Sequence, residues 1–229
     1  MNHPGIQRLL PAFLRRHILH FEASIEEALR RFAATLPEGA RVLDAGAGEM
    51  LHARFFARQR YIGVDLAVGN AAWDYSRIDV LGDLTHLPFR TNCFAACLNI
   101  VTLEHVREPA CVLAEIARCL EPGGLLLLVV PHEWEVHQSP NDFYRYTRHG
   151  VEYLLRRAGL DPVEITPVGG YFRLLSRRLL NGLQFFPSLT ALPAALVLAP
   201  PALLLPFLDF LDRRRDFTLG YICSARKRS

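Results

Sequence analysis

The residues best suited to chemistry lie in one stretch, VLDAGAGEM, from Val42 to Met50. Gly46, Ala47 and Gly48 follow a short apolar run, and two glycines one residue apart let a backbone turn tightly and approach a ligand without a Cβ in the way. Alone, such a pair is also compatible with an ordinary strand-to-helix turn. Asp65, followed by Leu66, ends the next apolar run seventeen positions after Gly48. In a βαβ unit that spacing presents a carboxylate to the two hydroxyls of a ribose. Asp83, after Gly82, closes a third run at the height where an adenine would lie, though by itself it also reads as a turn residue. A dinucleotide fingerprint would need a third glycine at position 51, which is Leu51. That glycine lets a helix sit close beneath a pyrophosphate. Asp44 would also set a negative charge against the pyrophosphate, whereas a ligand carrying an ammonium and a sulfonium gains from it.

The elements that must hold these residues alternate. Helix is expected over 22–36, with Ile25, Leu29 and Phe32 on one face. Strand is expected at 41–45, helix at 51–60, and strands at 61–66, 77–80 and 94–100. A helix over 109–120, a strong turn at Glu121-Pro122-Gly123-Gly124 and a strand at 125–130 follow, then a helix over 147–158 and strands at 163–167 and 217–224. Such alternation predicts a parallel sheet with helices on both faces. Residues 6–21 read as a short amphipathic helix interrupted near Pro11. The division is an N-terminal helical segment, 1–36, and one domain, 37–229.

Five motifs in order, VLDAGAGEM, YIGVDL, GDLTHLPF, LEHVREPACVLAEIARCLEPGG and LLLLVVP, resemble the class I S-adenosylmethionine-dependent methyltransferases of the bacterial type 11 group. The likeness runs continuously from about Arg41 to Gly169, and TLGYICSARK is similar to the family's last strand. It implies a Rossmann-like, mostly parallel seven-stranded α/β sheet with an antiparallel last strand. It also implies S-adenosyl-L-methionine as cofactor, held by Asp44, Gly46, Ala47, Gly48, Asp65 and Leu66, with Asp83 and Leu84 flanking the adenine. Asn99, Ile100 and Val101 then lie beside the cofactor, and Glu104 and His105 follow. Met50 stands where the family often has a small residue, which predicts a narrower pocket. The stretch from His132 to Leu160 resembles a subgroup associated with glycan and envelope biosynthesis, and the acceptor implied is a small molecule, a glycan or a lipid-linked glycan. The alternative is a scaffold or regulatory protein that keeps the fold and binds the cofactor without turnover.

Methyl transfer needs alignment and exclusion of water, and a base only for an acceptor such as a hydroxyl. The candidates after the fifth strand are His132, His137, Asp142, Tyr144 and Tyr146. His137, Asp142 and Tyr144 form the expected catalytic set, with His137 as base because histidine titrates near working pH. Each also has a structural reading, as a loop hydrogen bond or as packing, and so does His105. No metal site is expected.

Between the last two strands, about 171–216, the expected fold carries an apolar insertion. From Leu179 to Leu208 it runs about thirty residues without a charge, divided by Pro187, Pro193, Pro200, Pro201 and Pro206. Arg173, Arg177 and Arg178 precede it and Arg213 to Arg215 follow. The prolines argue against one straight transmembrane helix. The basic flanks suit a hairpin lying on, or re-entering, an anionic membrane face through 179–208. A lid or a dimer interface is the alternative. A net charge of +3 with no aromatic-basic stripe argues against nucleic acid. Five cysteines without a CxxC pair read as reduced thiols, and with no secretory pattern at the N-terminus a cytoplasmic location is expected, at or away from the inner membrane face. The oligomeric state is left open.

Overall fold

The computed structural model describes residues 17–70 and 72–228. Most of the helix expected over 6–21 therefore lies outside the described residues. The chain divides into two compact units, one of 25–166 with 221–229 and one of 1–24 with 167–220.

The first unit is built on a sheet. Its strands are β1 (Arg41–Ala45), β2 (Arg60–Asp65), β3 (Val80–Leu81), β4 (Phe94–Ile100), β5 (Leu120–Pro131), β6 (Leu160–Val168) and β7 (Gly220–Lys227). The seven strands lie in the order β3-β2-β1-β4-β5-β7-β6. Pairings of β1 with β2 and β4, of β2 with β3, and of β4 with β5 are all parallel. Strand order therefore reverses between β1 and β4, and a crevice opens at the carboxyl ends of such a pair. The strands are nearly continuous apolar runs because helices cover both faces. Leu43, Cys97, Leu98, Leu126 and Leu128 are fully buried. Helix α1 (His20–Thr35) buries Ile25, Leu29 and Phe32 as its periodicity predicts. Helix α2 (Pro109–Cys119) starts on a proline, and α3 (Arg148–Arg157) is capped by Thr147, whose hydroxyl accepts from the Gly150 amide.

Three local expectations change. The helix expected over 51–60 is a single 3-10 turn, Leu51–Phe55. It begins from Met50 in the left-handed region (φ 61°) with no side-chain cap. The chain after it turns back at once, with the Gly39 amide donating to the Arg58 carbonyl. Glu121–Gly124 does not precede the fifth strand but lies inside it. Leu120 pairs with Phe94 and Leu125 with Ala96, so the four residues form an irregularity in β5. The third strand is two residues, one step later than expected.

The second unit is helical. Helix α4 (Tyr171–Gly182) and helix α5 (Ser188–Leu204) form a hairpin, and 3-10 turns run on from Leu205 to Leu211. Asp209, buried, serves the amides at the start of α4 that have no partner within the helix, accepting from Gly170 and Arg173, while Asp212 accepts from Tyr171. The prolines do not divide the apolar segment as expected: α5 contains Pro193, Pro200 and Pro201. A proline four residues on takes away a carbonyl's helical donor, and at the end of the segment a side chain replaces it. Pro206 has no N–H to offer the Ala202 carbonyl, which accepts from the Ser176 hydroxyl instead. The next carbonyl, Leu203, has no proline four residues on and accepts from His17 Nε2 at 2.7 Å.

His20 lies within this unit. Burial first, and then Arg173, lower its pKa to about 4; Arg215 and His17 act the same way and Asp209 opposes them. The unfolded chain then binds the proton more readily than the folded one between pH 6.5 and about 4. Stability should be full above pH 6.5 and fall as the pH drops toward 4, and His20→Gln should flatten that part of a denaturation-against-pH curve. Superimposable curves for the two proteins would remove His20 as the cause.

Candidate active site

The crevice at the strand reversal is a cavity of about 250 Å³, walled by segments that follow β1, β2, β3 and β4 and by the loop after β5. Its floor is the glycine loop. The amides of Gly46 and Ala47 both donate to the Val64 carbonyl, at 2.8 and 3.1 Å, and hold the loop against β2. Gly46 has φ +94°, and a Cβ there would fall 2.3 Å from the Thr102 side chain. Both the backbone angle and the approach of β4's end therefore require glycine. Met50 does not narrow the cavity as expected. It is buried beneath the loop, its sulfur in the space a side chain at Gly63 would take.

Asp65 ends β2 and faces the cavity. Its Oδ2 accepts from the Gly48 amide at 2.9 Å and its Oδ1 from the Ala67 amide at 2.7 Å. Each oxygen has a further lone pair, so the carboxylate is oriented and still able to accept from a ligand's hydroxyls. Leu66, Asp83, Leu84 and Ile100 line the same cavity with Gly46, Ala47 and Gly48. The Asp83 carboxylate accepts from the amide and hydroxyl of Thr85, which lowers its pKa. Asp44 and Asn99 lie elsewhere, fully buried within the strands. Asp44 accepts a hydrogen bond from the Tyr61 hydroxyl and burial raises its pKa, while Asn99 Nδ2 donates to the Ala45 carbonyl at 2.8 Å. They stiffen the ends of β1 and β4 rather than wall the cavity. Val101 sits at φ 51°, a strained angle for a β-branched residue, at the point where β4 gives way to the cavity wall.

Sequence reasoning missed Trp73 and Tyr75, which line the cavity from the segment between β2 and β3. Two aromatics close together in a glycine-bearing connection between two strands were the available signal.

The loop after β5 folds over the 3-10 turn Leu103–His105. Amides of Phe143 and Tyr144 donate to the Glu104 carbonyl, and the Tyr146 hydroxyl donates to the Leu103 carbonyl. His105, Gln138 and Asn141 reach the cavity. His137 stands one ring behind, edge-on to His105 with ring centroids 4.7 Å apart. Asp142 is engaged by Arg145, at 2.6 and 2.8 Å, which holds its pKa down at about 2. The Tyr144 hydroxyl donates to the Arg107 carbonyl at 2.8 Å, and His132 bonds the Tyr146 carbonyl. Of the three expected catalytic residues, then, His137 packs against the cavity wall while Asp142 and Tyr144 brace the loop. Glu104 sits beneath them fully buried, with its pKa raised to about 8, chiefly by burial.

A doubly wound sheet whose crevice holds a ribose-ready carboxylate and a two-glycine loop defines a nucleoside-binding α/β domain. Residues 43–128 match the methyltransferase domain family. The chain is 31% identical over 163 residues to the ubiquinone biosynthesis O-methyltransferase of Cereibacter sphaeroides (strain ATCC 17029 / ATH 2.4.9), covering 59% of this chain and 66% of that one. It is 34% identical over 113 residues to an uncharacterized methyltransferase of Mycobacterium sp. (strain JLS), covering 46% and 44%. The chain thus spans between about two fifths and two thirds of the length of these relatives. In fold it is similar to Haemonchus contortus phosphoethanolamine N-methyltransferase 2, solved with S-adenosyl-L-methionine, at TM-score 0.58 and 18% identity, covering 90% of this chain and 53% of that one. The chain belongs to the class I S-adenosylmethionine-dependent methyltransferases, with S-adenosylmethionine as cofactor. The residues present fit that cofactor: the free lone pairs of Asp65 suit a ribose, and a cavity lined by Leu66, Leu84 and Ile100 suits an adenine.

Gly46→Ala should leave a folded protein in which S-adenosylhomocysteine binds at least about tenfold more weakly, about 1.4 kcal/mol, because the loop must move off Thr102. Unchanged affinity by calorimetry would show that the loop's path does not shape the site.

Proposed function

We propose that the protein transfers the methyl group of S-adenosylmethionine to a hydroxyl oxygen of an amphipathic acceptor, a lipid-linked glycan or a related lipid, at the cytoplasmic face of a membrane. When bound, the cofactor supplies a methyl carbon on a sulfonium: the S–C bond breaks as the O–C bond forms, and the acceptor loses its proton. The protein's part is to orient the two partners, exclude water from the reacting atoms and let that proton leave. The polar wall of the cavity is His105 with Gln138 and Asn141, and the departing proton leaves to water on this side. Oxygen as acceptor atom is supported by the likeness to a ubiquinone biosynthesis O-methyltransferase.

One observation carries the amphipathic acceptor. Ser188–Leu211 is a 24-residue helical segment whose most apolar 18-residue stretch has a mean hydropathy of 2.0 and is only 17% buried. Leu189, Leu192, Leu196, Val197, Phe207 and Phe210 are each more than two thirds exposed. A soluble monomer rarely presents so continuous an apolar surface to water. Its length suffices for a bilayer, but the pinning of α5 to α4 through Ser176 and the arginines at both flanks favour a hairpin seated in the anionic interface.

Labelled methyl donor, offered with hydroxyl-bearing lipids in anionic vesicles, tests both halves together. The protein should co-float with the vesicles and label the lipid, and Leu192→Glu with Leu196→Glu should abolish flotation. Wild-type protein that stays at the bottom of the gradient overturns the membrane reading. Protein that floats and binds cofactor but labels no acceptor favours the scaffold alternative.

A further inference from the structure

Three electron-pair donors converge behind the cavity wall. Glu104 Oε1 is 3.7 Å from His105 Nε2 and 3.9 Å from His137 Nε2, and the three ligand atoms all lie within 4.8 Å of one another. Glu104 is fully buried, yet among the described residues neither carboxyl oxygen has a hydrogen-bond partner, and neither has His105 Nε2. A buried carboxyl group whose two oxygens both lack partners is costly to a fold whichever protonation state it holds.

The histidine tautomers sharpen the problem. His105 Nδ1 lies 2.6 Å from the Asn141 carbonyl, which can only accept, so Nδ1 carries the hydrogen and Nε2 presents its lone pair. His137 Nδ1 lies 3.1 Å from the Glu135 carbonyl, which assigns it the same tautomer. Arg145 Nη2, 3.5 Å from that nitrogen, is committed to Asp142 and to the Glu135 carbonyl. Two imidazole lone pairs thus face a carboxylate at separations too long for a direct hydrogen bond. Those separations, 3.7 and 3.9 Å, are a few tenths of an ångström beyond the roughly 3.3–3.4 Å between two ligands of one tetrahedral ion with bonds of about 2.0–2.1 Å, a gap that small side-chain rotations close. The outer hydrogen bonds from each Nδ1 to a backbone carbonyl are the arrangement that orients metal-bound histidines.

We propose that Glu104, His105 and His137 bind a divalent transition-metal ion of the zinc type through one carboxylate oxygen and two Nε2 atoms. Two imidazoles and a carboxylate suit zinc, and three protein ligands leave a position for water or for an acceptor's oxygen. His105 is both a ligand and part of the cavity wall, so the ion joins the Leu103–His105 turn to the loop after β5 beside the cofactor cavity. The sequence expectation of no metal gave no hint of it, because Glu104 and His137 are 33 residues apart. The site stands on the cluster's own geometry and does not depend on the acceptor or the membrane reading.

The test is metal binding by the full chain. Chelator-treated protein is titrated with zinc alone against a chromophoric competitor, and with cobalt for its absorption spectrum. One zinc per chain should bind, and cobalt should give the visible bands of a four-coordinate site. His137→Ala, at a partly exposed residue, and Glu104→Gln should each weaken zinc by more than the roughly 10–100-fold typical of outer-shell changes. S-adenosylhomocysteine titration of the same samples establishes that each variant is folded. Absence of stoichiometric zinc in protein that binds S-adenosylhomocysteine overturns the proposal, as does zinc affinity unchanged in a folded His137→Ala. Methyl transfer is not a readout here, so failure of the proposed reaction leaves this outcome distinguishable.

Discussion

The carboxylate of Asp65, clasped by the amides of Gly48 and Ala67, joins the glycine loop to the end of the second strand. A hydrogen bond to a charged group contributes about 1.5–3 kcal/mol, so the clasp is strong enough to fix the loop. It also constrains everything around it. The loop can lie there only because Gly46 takes φ +94° beneath Thr102, and Thr102 is there only because β4 ends beside β1. The reversal of strand order thus places the loop, the carboxylate and the end of β4 around one crevice. Since the clasp uses only part of each oxygen's capacity, the group that organises the loop keeps lone pairs facing the cavity for a ligand.

The opposite wall works on another principle. There the loop after β5 is held by backbone contacts to the Leu103–His105 turn and by the Asp142–Arg145 pair. These bonds consume two of the three residues expected to be catalytic. What they leave is a buried carboxylate and two imidazoles facing one another, an electrostatic problem the protein's own hydrogen-bond donors do not solve. Single buried oxygens of Asp44 and Asn99 also lack a partner, but among the described residues only here do both oxygens of one buried carboxyl group and a neighbouring imidazole nitrogen lack one together, which leaves this cluster as a place for a ligand.

How much of this was legible depended on range. Strand β4 and helix α2 were readable to within a residue because apolar periodicity and a proline start are local signals. The glycine loop and Asp65 were readable because their spacing in sequence is the geometry of one βαβ unit. The 3-10 turn at Leu51–Phe55 was not, since an apolar run reads as helix until a left-handed Met50 and a quick return cut it short. Continuity of α5 through Pro193, Pro200 and Pro201 was hidden too, because proline reads locally as a helix breaker. The same holds for the joining of Glu104, His105 and His137, and for Trp73 and Tyr75 at the cavity. Each is a tertiary contact that no periodicity records.

The central claim is that the crevice binds S-adenosylmethionine through Asp65. Calorimetric titration of the full chain with S-adenosylmethionine and S-adenosylhomocysteine, wild type beside Asp65→Ala, tests it most directly. Saturable binding with one site per chain in wild type, weakened at least about 100-fold (about 2.7 kcal/mol) in the variant, is the expected result. Wild-type protein that is folded but binds neither ligand, or a folded variant that binds as tightly as wild type, would contradict the account.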